Sequence, residues 1–331
     1  MPAEPNRRAL AVILLVPLIV TLSLWAFSWP AARIAPRELP VGIAGAAPAA
    51  DQLQKRFEQR EGAFEIHRYD DADAARAAIE DRAVYGAVVV TEKGPQLLTA
   101  SAAGPVVSQL LTEAAKGAAP AGTTVPVTDV VAAPAADPRG AALGASILPL
   151  ALAGVAAGAL VTVMRLRGAR AALTLVGAAG LVGAAATAVA HSWLGVITGD
   201  WWADAGVIGL TVLAVASGVG GLAALLGTKG LSVGALLMVL LGNSFSGVTS
   251  APELLPEPVG EIGQWLPPGA GGSLLRSVAF FDGAATGGAV LILTAWAVLG
   301  LTAVLIGGRR KPEADSATQL PDHRHEPART S

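Results

Sequence analysis

The chain contains no cysteine, which excludes disulfides, iron–sulfur ligation and thiol chemistry. Any part of it that faces an oxidising exterior must be held together by its own core. Charge is scarce as well: 15% of the 331 residues are Asp, Glu, Lys or Arg, against 53% hydrophobic. A soluble domain carries about a quarter charged residues, so composition alone reads as a membrane protein. The net charge of −2 leaves no basic footprint for nucleic acid. Only four histidines are present. His323 and His325 are close-set, His67 and His191 stand apart, and no H-E-x-x-H occurs. Gly227-Thr228-Lys229-Gly230 has the wrong order for a phosphate-binding loop, so the chain does not itself hydrolyse ATP. No Ser-His-Asp ordering can be built. Asp200 and Asp204 form at most a carboxylate pair, and a loop keeping its acids out of lipid is the plainer reading. The expectation is a non-enzyme with no cofactor and no metal.

What the chain has is long apolar runs. Leu10–Phe27, Leu143–Met164, Ala171–Ala190, Ala205–Leu226, Leu231–Val248 and 286–306 are each near the roughly 20 residues needed per crossing, which makes about six spans. The first run follows Arg7 and Arg8 and precedes Ala31 and Ala32, so a cleaved signal peptide competes with a retained anchor. Gly154 with Gly158, Ala179 with Gly183, and Ala214 with Gly218 have the small-xxx-small spacing of close helix packing.

Residues 32–142 are different. LPVGIAG (39–45) reads as a strand, 51–60 as a helix, FEIHRYD (64–70) as a half-buried strand and 71–82 as a helix. In the second strand, alternation puts Phe64, Ile66 and Arg68 on one face. Two further strands (83–90 and 95–102), a helix (106–117) and a last strand (124–131) complete a β-α-β-α-β-β-α-β order, which predicts a small α/β sandwich. Residues 132–142 read as a linker. The expected fold is a polytopic α-helical membrane protein with an extracytoplasmic α/β domain between the first and second spans. Residues 1–31 form the first unit, 143–308 a five-helix bundle, and 309–331 a disordered cytoplasmic tail.

Basic residues set the orientation. Arg7, Arg8, Arg165, Arg167, Arg170, Lys229, Arg309, Arg310 and Lys311 fall on one side of the alternating count, whereas Asp200, Asp204, Trp193, Trp201 and Trp202 fall on the other. By the positive-inside rule and the aromatic belt, both termini are cytoplasmic, 32–142 lies outside, and the chain is a multi-pass protein of the plasma membrane.

The stretch Leu240–Phe281 carries the most information. On a helix, Asn243, Ser246 and Ser250 would share one face, either lining a substrate path or bonding to neighbouring helices. Beyond it, 251–285 is apolar yet proline-punctuated by Pro252, Pro256, Pro267 and Pro268. Lipid cannot satisfy open backbone groups, so this segment must be shielded by protein or lie at the interface, where it can re-enter the bilayer. Arg276 is a lone base there. It either snorkels to water or pairs with Glu253, Glu257, Glu261 or Asp282.

Three motifs, namely the LPVGIAG strand, the YGAVVV strand after an amphipathic helix, and FSG…P…LP…PPGA across Phe245–Gly247, Pro252, Leu255–Pro256 and Pro267–Ala270, join this topology in one resemblance. The chain resembles the permease subunits of type-2 ABC exporters, in the branch of phage-infection-protein-like membrane proteins. That resemblance implies short re-entrant helices near the outer surface, with Asn243–Gly247 and Pro252–Arg276 in the region where substrate leaves. It implies a homo- or heterodimer, a separate cytoplasmic ATPase subunit facing Arg165, Arg167 and Arg170, and an amphipathic or lipid-like cargo. The Arg165–Arg170 loop is short for an ATPase-docking helix. The alternative is therefore a non-transporting envelope scaffold, secretion accessory or receptor whose external domain binds a partner.

Overall fold

A computed structural model describes residues 4–92, 94–118 and 124–307. The basic cluster Arg309–Lys311, His323–His325 and the tail expected to be disordered lie outside these described residues.

The α/β lobe follows the expected order. It comprises β1 (Leu39–Gly45), α2 (Ala47–Glu58), β2 (Phe64–Tyr69), α3 (Ala72–Glu80), β3 (Gly86–Thr91), β4 (Gly94–Thr99), α4 (Pro105–Ala118) and β5 (Val127–Asp129), after α1 (Glu4–Ala31). The sheet order is β2-β1-β3-β4-β5, parallel except for the β3–β4 hairpin. Alternation along β1 sends Leu39, Val41 and Ile43 to one core layer with Phe57 and Leu111, and Ala44 to the other with Ala75 and Ile79. Helices thus cover both faces, and the alternation expected of β2 holds along its length, with Phe64, Ile66 and Arg68 on the side of α2. Arg68 reaches Asp51 of α2 at 3.2 Å on that face, and Tyr69 packs against the second layer on the other. Asp71 caps α3 by accepting from the Ala74 amide at 2.8 Å, which explains why the helix begins where its acids cluster.

Five helices are long and apolar enough to cross a membrane, by length and composition: Ala9–Ala31 within α1; α5 (Ala141–Val163); α6 (Gly168–Thr187) with the π-helical turn Ala188–Trp193; α7 (Trp201–Leu226); and α11 (Gly287–Gly307). The sixth expected span, Leu231–Val248, corresponds to a shorter apolar helix, Thr228–Gly242. There α8 (Thr228–Ala235) runs into a π-helical turn, Leu236–Gly242, and the pair is too short to count among the five. It stops because the chain turns at Gly247, whose φ of +66° is left-handed and suits a residue without a Cβ.

α7 is the axis of the bundle, with α5, α6 and α11 packed around it. Close approach depends on missing side chains. A Cβ on Gly154 of α5 would come within 2.7 Å of Val215, and one on Gly158 within 2.8 Å of the Ala216 carbonyl. Gly183 of α6 and Gly300 of α11 lie still closer, against the backbone at Ala205 and at Ser217. The small-residue pairs expected to pack helices do so, each against or from α7.

The expected linker 132–142 is structured. Asp137, only 7% exposed, accepts from the amides of Ala141, Ala142 and Leu143 at 2.8, 2.9 and 3.3 Å. Those are orphan donors of the first turn of α5, so one carboxylate fastens that helix to the lobe.

Candidate functional site

The segment after Gly242 decides how lobe and bundle meet. A 3₁₀ turn (Pro252–Leu254), α9 (Val259–Gln264) and α10 (Pro267–Phe280) bridge to α11. Leu254 is fully buried in the first core layer of the lobe, with Ala251, and Phe281 is buried in the second. The core of the α/β lobe is therefore not confined to 32–142. It is completed by residues more than a hundred positions later, which a reading of local patterns had no means to find. Backbone bonds seal the join: the Ala35 amide donates to the Leu254 carbonyl at 3.1 Å, and the Arg37 amide to that of Glu253 at 3.0 Å. Arg37 adds Nη1 to the Leu254 carbonyl at 3.0 Å.

The predicted polar stripe does not exist as a helix face. Asn243 is still helical, but Ser246 and Ser250 lie in the turns beyond, both buried. Ser246 Oγ donates to the Asn243 carbonyl at 2.8 Å, and Ser250 Oγ to that of Ala251 at 3.4 Å. Hydroxyls that bond to their own backbone help to close turns. Gln264 then ties α9 to this turn by donating to the Ser246 carbonyl at 2.8 Å and accepting from Ser273 Oγ at 2.6 Å. Of the four prolines singled out, Pro252 opens the 3₁₀ turn and Pro267 with Pro268 opens α10, where a missing N–H costs nothing; a fifth, Pro258, stands at the N-cap of α9. Pro268 also packs against Gly242, and Pro256 accepts from the Val259 amide at 2.7 Å.

α10 spans the junction. At Gly271 its backbone meets Thr211 in the middle of α7, and the side chain of Thr211 occupies the space a Cβ would need. Farther along, Arg82 of the lobe donates from Nη1 to the Ser273 carbonyl at 3.0 Å and to Ser277 Oγ, and its guanidinium lies 5.3 Å from the centre of the Phe281 ring. Arg276 does not snorkel. It is 5% exposed and donates from Nη2 to the Val248 carbonyl at 2.7 Å. None of the four acids expected as partners is ion-paired to it; burial and then the Arg82 charge lower its pKa to about 10, with Tyr85 and Glu253 opposing. Tyr85 donates to Glu253 Oε2 at 2.7 Å. Burial, and then the Glu253 charge, push the Tyr85 phenol well above its usual range, so it stays a neutral donor. Burial also lowers the pKa of Arg82, with Tyr85 and Glu253 opposing. Sequence reasoning named Arg276 and Glu253 here but missed Arg82 and Tyr85. The one signal was a basic and an aromatic residue together at the mouth of an otherwise apolar strand.

Two hollows flank this cluster. One, of about 170 Å³, is walled by Arg82, Tyr85, Glu253 and Ser273. The other, of about 540 Å³, is more open and is lined by Glu38, Glu65, Glu257, Glu261 and Trp265.

Asp200 and Asp204 do not act as a pair. Asp200 caps α7 through the Ala203 amide at 2.8 Å, whereas Asp204 is fully buried with its Oδ2 3.3 Å from Nδ1 of His191. The π-helical turn carries His191 toward α7, which sequence spacing does not reveal. Trp193 and Trp202 are exposed at this same end. Arg165, Arg167, Arg170 and Lys229 are at the opposite end, in or beside the turns that join α5 to α6 and α7 to α8. Comparison with family models, with curated proteins and with solved structures finds no match to this chain.

Proposed function

We propose that the chain is the membrane subunit of an exporter of the type-2 ABC permease kind, working as a dimer with a separate ATPase and passing an amphipathic or lipid-like molecule outward. In this reading the α/β lobe is extracytoplasmic and the bundle sits in the plasma membrane with the N-terminal end of α1 in the cytoplasm. Support for the orientation comes from Arg165, Arg167, Arg170 and Lys229 gathering at the end far from the lobe, and from Trp193 and Trp202 standing exposed at the near end. The observation that carries the proposal is α10. One short helix rests on the middle of α7 at Gly271 and is gripped by the lobe at Ser273, Ser277 and Phe281. A rigid element held at both ends transmits a shift of the central helix to the outer lobe, as the rigid-body rearrangements of transporters require. In such a cycle Arg165, Arg167 and Arg170 face the ATPase, and the turns around Ser246 and Ser250 serve as an outer hinge.

Purification in mild detergent, followed by ATPase recovery and assay, tests this. A co-purifying ATPase whose hydrolysis the chain stimulates is the expected result, and failure to recover one removes the exporter reading.

One observation favours a second reading. α5 ends at Val163 and α6 starts at Gly168, which leaves no helix between them for an ATPase to grip. A scaffold or receptor that presents the lobe to an envelope partner needs none. Pull-down with the lobe-bearing full chain, yielding an envelope protein and no ATPase, would select it.

A further inference from the structure

The junction between lobe and bundle is unbalanced in charge. Arg276 feels the charge of Arg82 there, and Glu253, the carboxylate whose charge reaches both, is ion-paired to neither. Like charges brought together out of water are costly unless something neutralises them, and Tyr85 takes one oxygen of the only acid. Each guanidinium offers five N–H donors. The bonds described for Arg82 here use Nη1, and those for Arg276 use Nη2, while Arg276 Nε is buried with no partner. Arg82 follows the C-cap Asp81 of α3 with a left-handed φ of +59°, which closes the helix end and sends its side chain off toward α10. Beside these groups lies the 170 Å³ hollow, with Arg82, Tyr85, Glu253 and Ser273 on its wall and Arg276 one helical turn beyond Ser273.

We propose that this hollow binds an oxyanion of the phosphate class, held by Arg82 with Arg276 supplying the second positive charge. Planar guanidinium forks match phosphate oxygens, and Arg is the side chain that keeps its charge when buried. The volume is well below the roughly 300 Å³ at which pockets for drug-sized molecules begin, which suits a single phosphate group. The hollow lies at the same end of the bundle as Trp193 and Trp202, the level at which headgroups sit. The phosphate is therefore either a free ion or the headgroup of an anionic lipid. Bound there, it would join the lobe to α10. The inference does not depend on transport, because its readout is binding.

The test uses the full chain in a zwitterionic detergent, titrated calorimetrically with inorganic phosphate at fixed ionic strength. In parallel, melting is followed by tryptophan fluorescence in nanodiscs of phosphatidylcholine with and without phosphatidylglycerol. Phosphate binding without a phosphatidylglycerol effect assigns a free anion, whereas stabilisation by phosphatidylglycerol alone assigns a headgroup. Arg82→Gln is expected to abolish whichever response is seen. Glu253→Gln keeps the acceptor for Tyr85 but removes the competing negative charge, and should tighten binding by about three- to tenfold. If neither ligand acts, or if both variants leave the response unchanged, the proposal is overturned. Should Arg82→Gln fail to fold, Glu253→Gln decides alone, and unchanged or weaker binding in it is the overturning result.

Discussion

α1 and α7 are close in apolar character, with mean hydropathies of 2.6 and 2.0 over their spanning stretches, yet 6% of the first is buried within the protein and 78% of the second. Hydropathy therefore says that a helix leaves water and nothing about where it sits. The difference lies in side-chain size. Along Ala9–Ala31, α1 is built of Leu, Ile and Val with no glycine, and touches the rest chiefly through Trp25, Ala26 and Trp29 near its lobe end. α7 alternates small residues through Ala214, Gly218 and Gly221, and its neighbours bring Gly154, Gly158, Gly183 and Gly300 to meet it. Between helices in lipid there is no hydrophobic drive, so the helix that permits close backbone approach becomes the axis.

The contrast can be broken at its strong end first. Gly183→Leu would force a side chain into the backbone of α7 at Ala205 and is expected to cost about 3 kcal/mol, the upper range for overpacking. A melting temperature unchanged in detergent would mean that the α6–α7 contact does not hold the bundle. A smaller effect is expected where α1 is attached. Trp25 stacks on Trp29 at 5.7 Å and meets Phe245 edge-on at 6.5 Å. Trp25→Ala should lose about 1 kcal/mol, the value of such an aromatic contact, and should free α1 from the bundle. Because the chain has no native cysteine, a disulfide engineered between α1 and the 241–245 turn reports this directly, and undiminished cross-linking in the variant would contradict it. The smallest effect belongs to the exposed face of α1. Leu14→Ala, at a position 64% exposed, should change stability by no more than about 0.5 kcal/mol. A larger loss, measured by the same melting assay, would reveal that a second protein covers this helix.

Legibility in the sequence followed the range of the forces involved. The β-α-β-α-β-β-α-β order of the lobe was readable because strand and helix periodicities are local, and Asp71 signals its helix start. The run 231–248 overshoots its helix because apolarity continues past the point where Gly247 lets the chain turn. Ser246 and Ser250 were assigned to a helical face that a turn replaces. Arg276 and Glu253 were noticed as charges out of place, but their partners Arg82 and Tyr85 lie some 170 to 195 positions earlier, and no short-range pattern points across that gap. Likewise Asp204 read as a loop acid until a π-helical turn brought His191 against it.

Composition and periodicity by themselves determined that the chain carries several membrane-length apolar helices and a stretch of alternating strands and helices, since both follow from what each short segment does with water. Only the tertiary structure decided that Leu254 and Phe281 finish the core of the lobe, that α7 is the axis, and that Arg82 and Tyr85 of the lobe bond to Ser277 and Glu253 where lobe and bundle join. Those facts depend on volumes and charges from distant segments meeting in one place, and a linear pattern does not record such meetings.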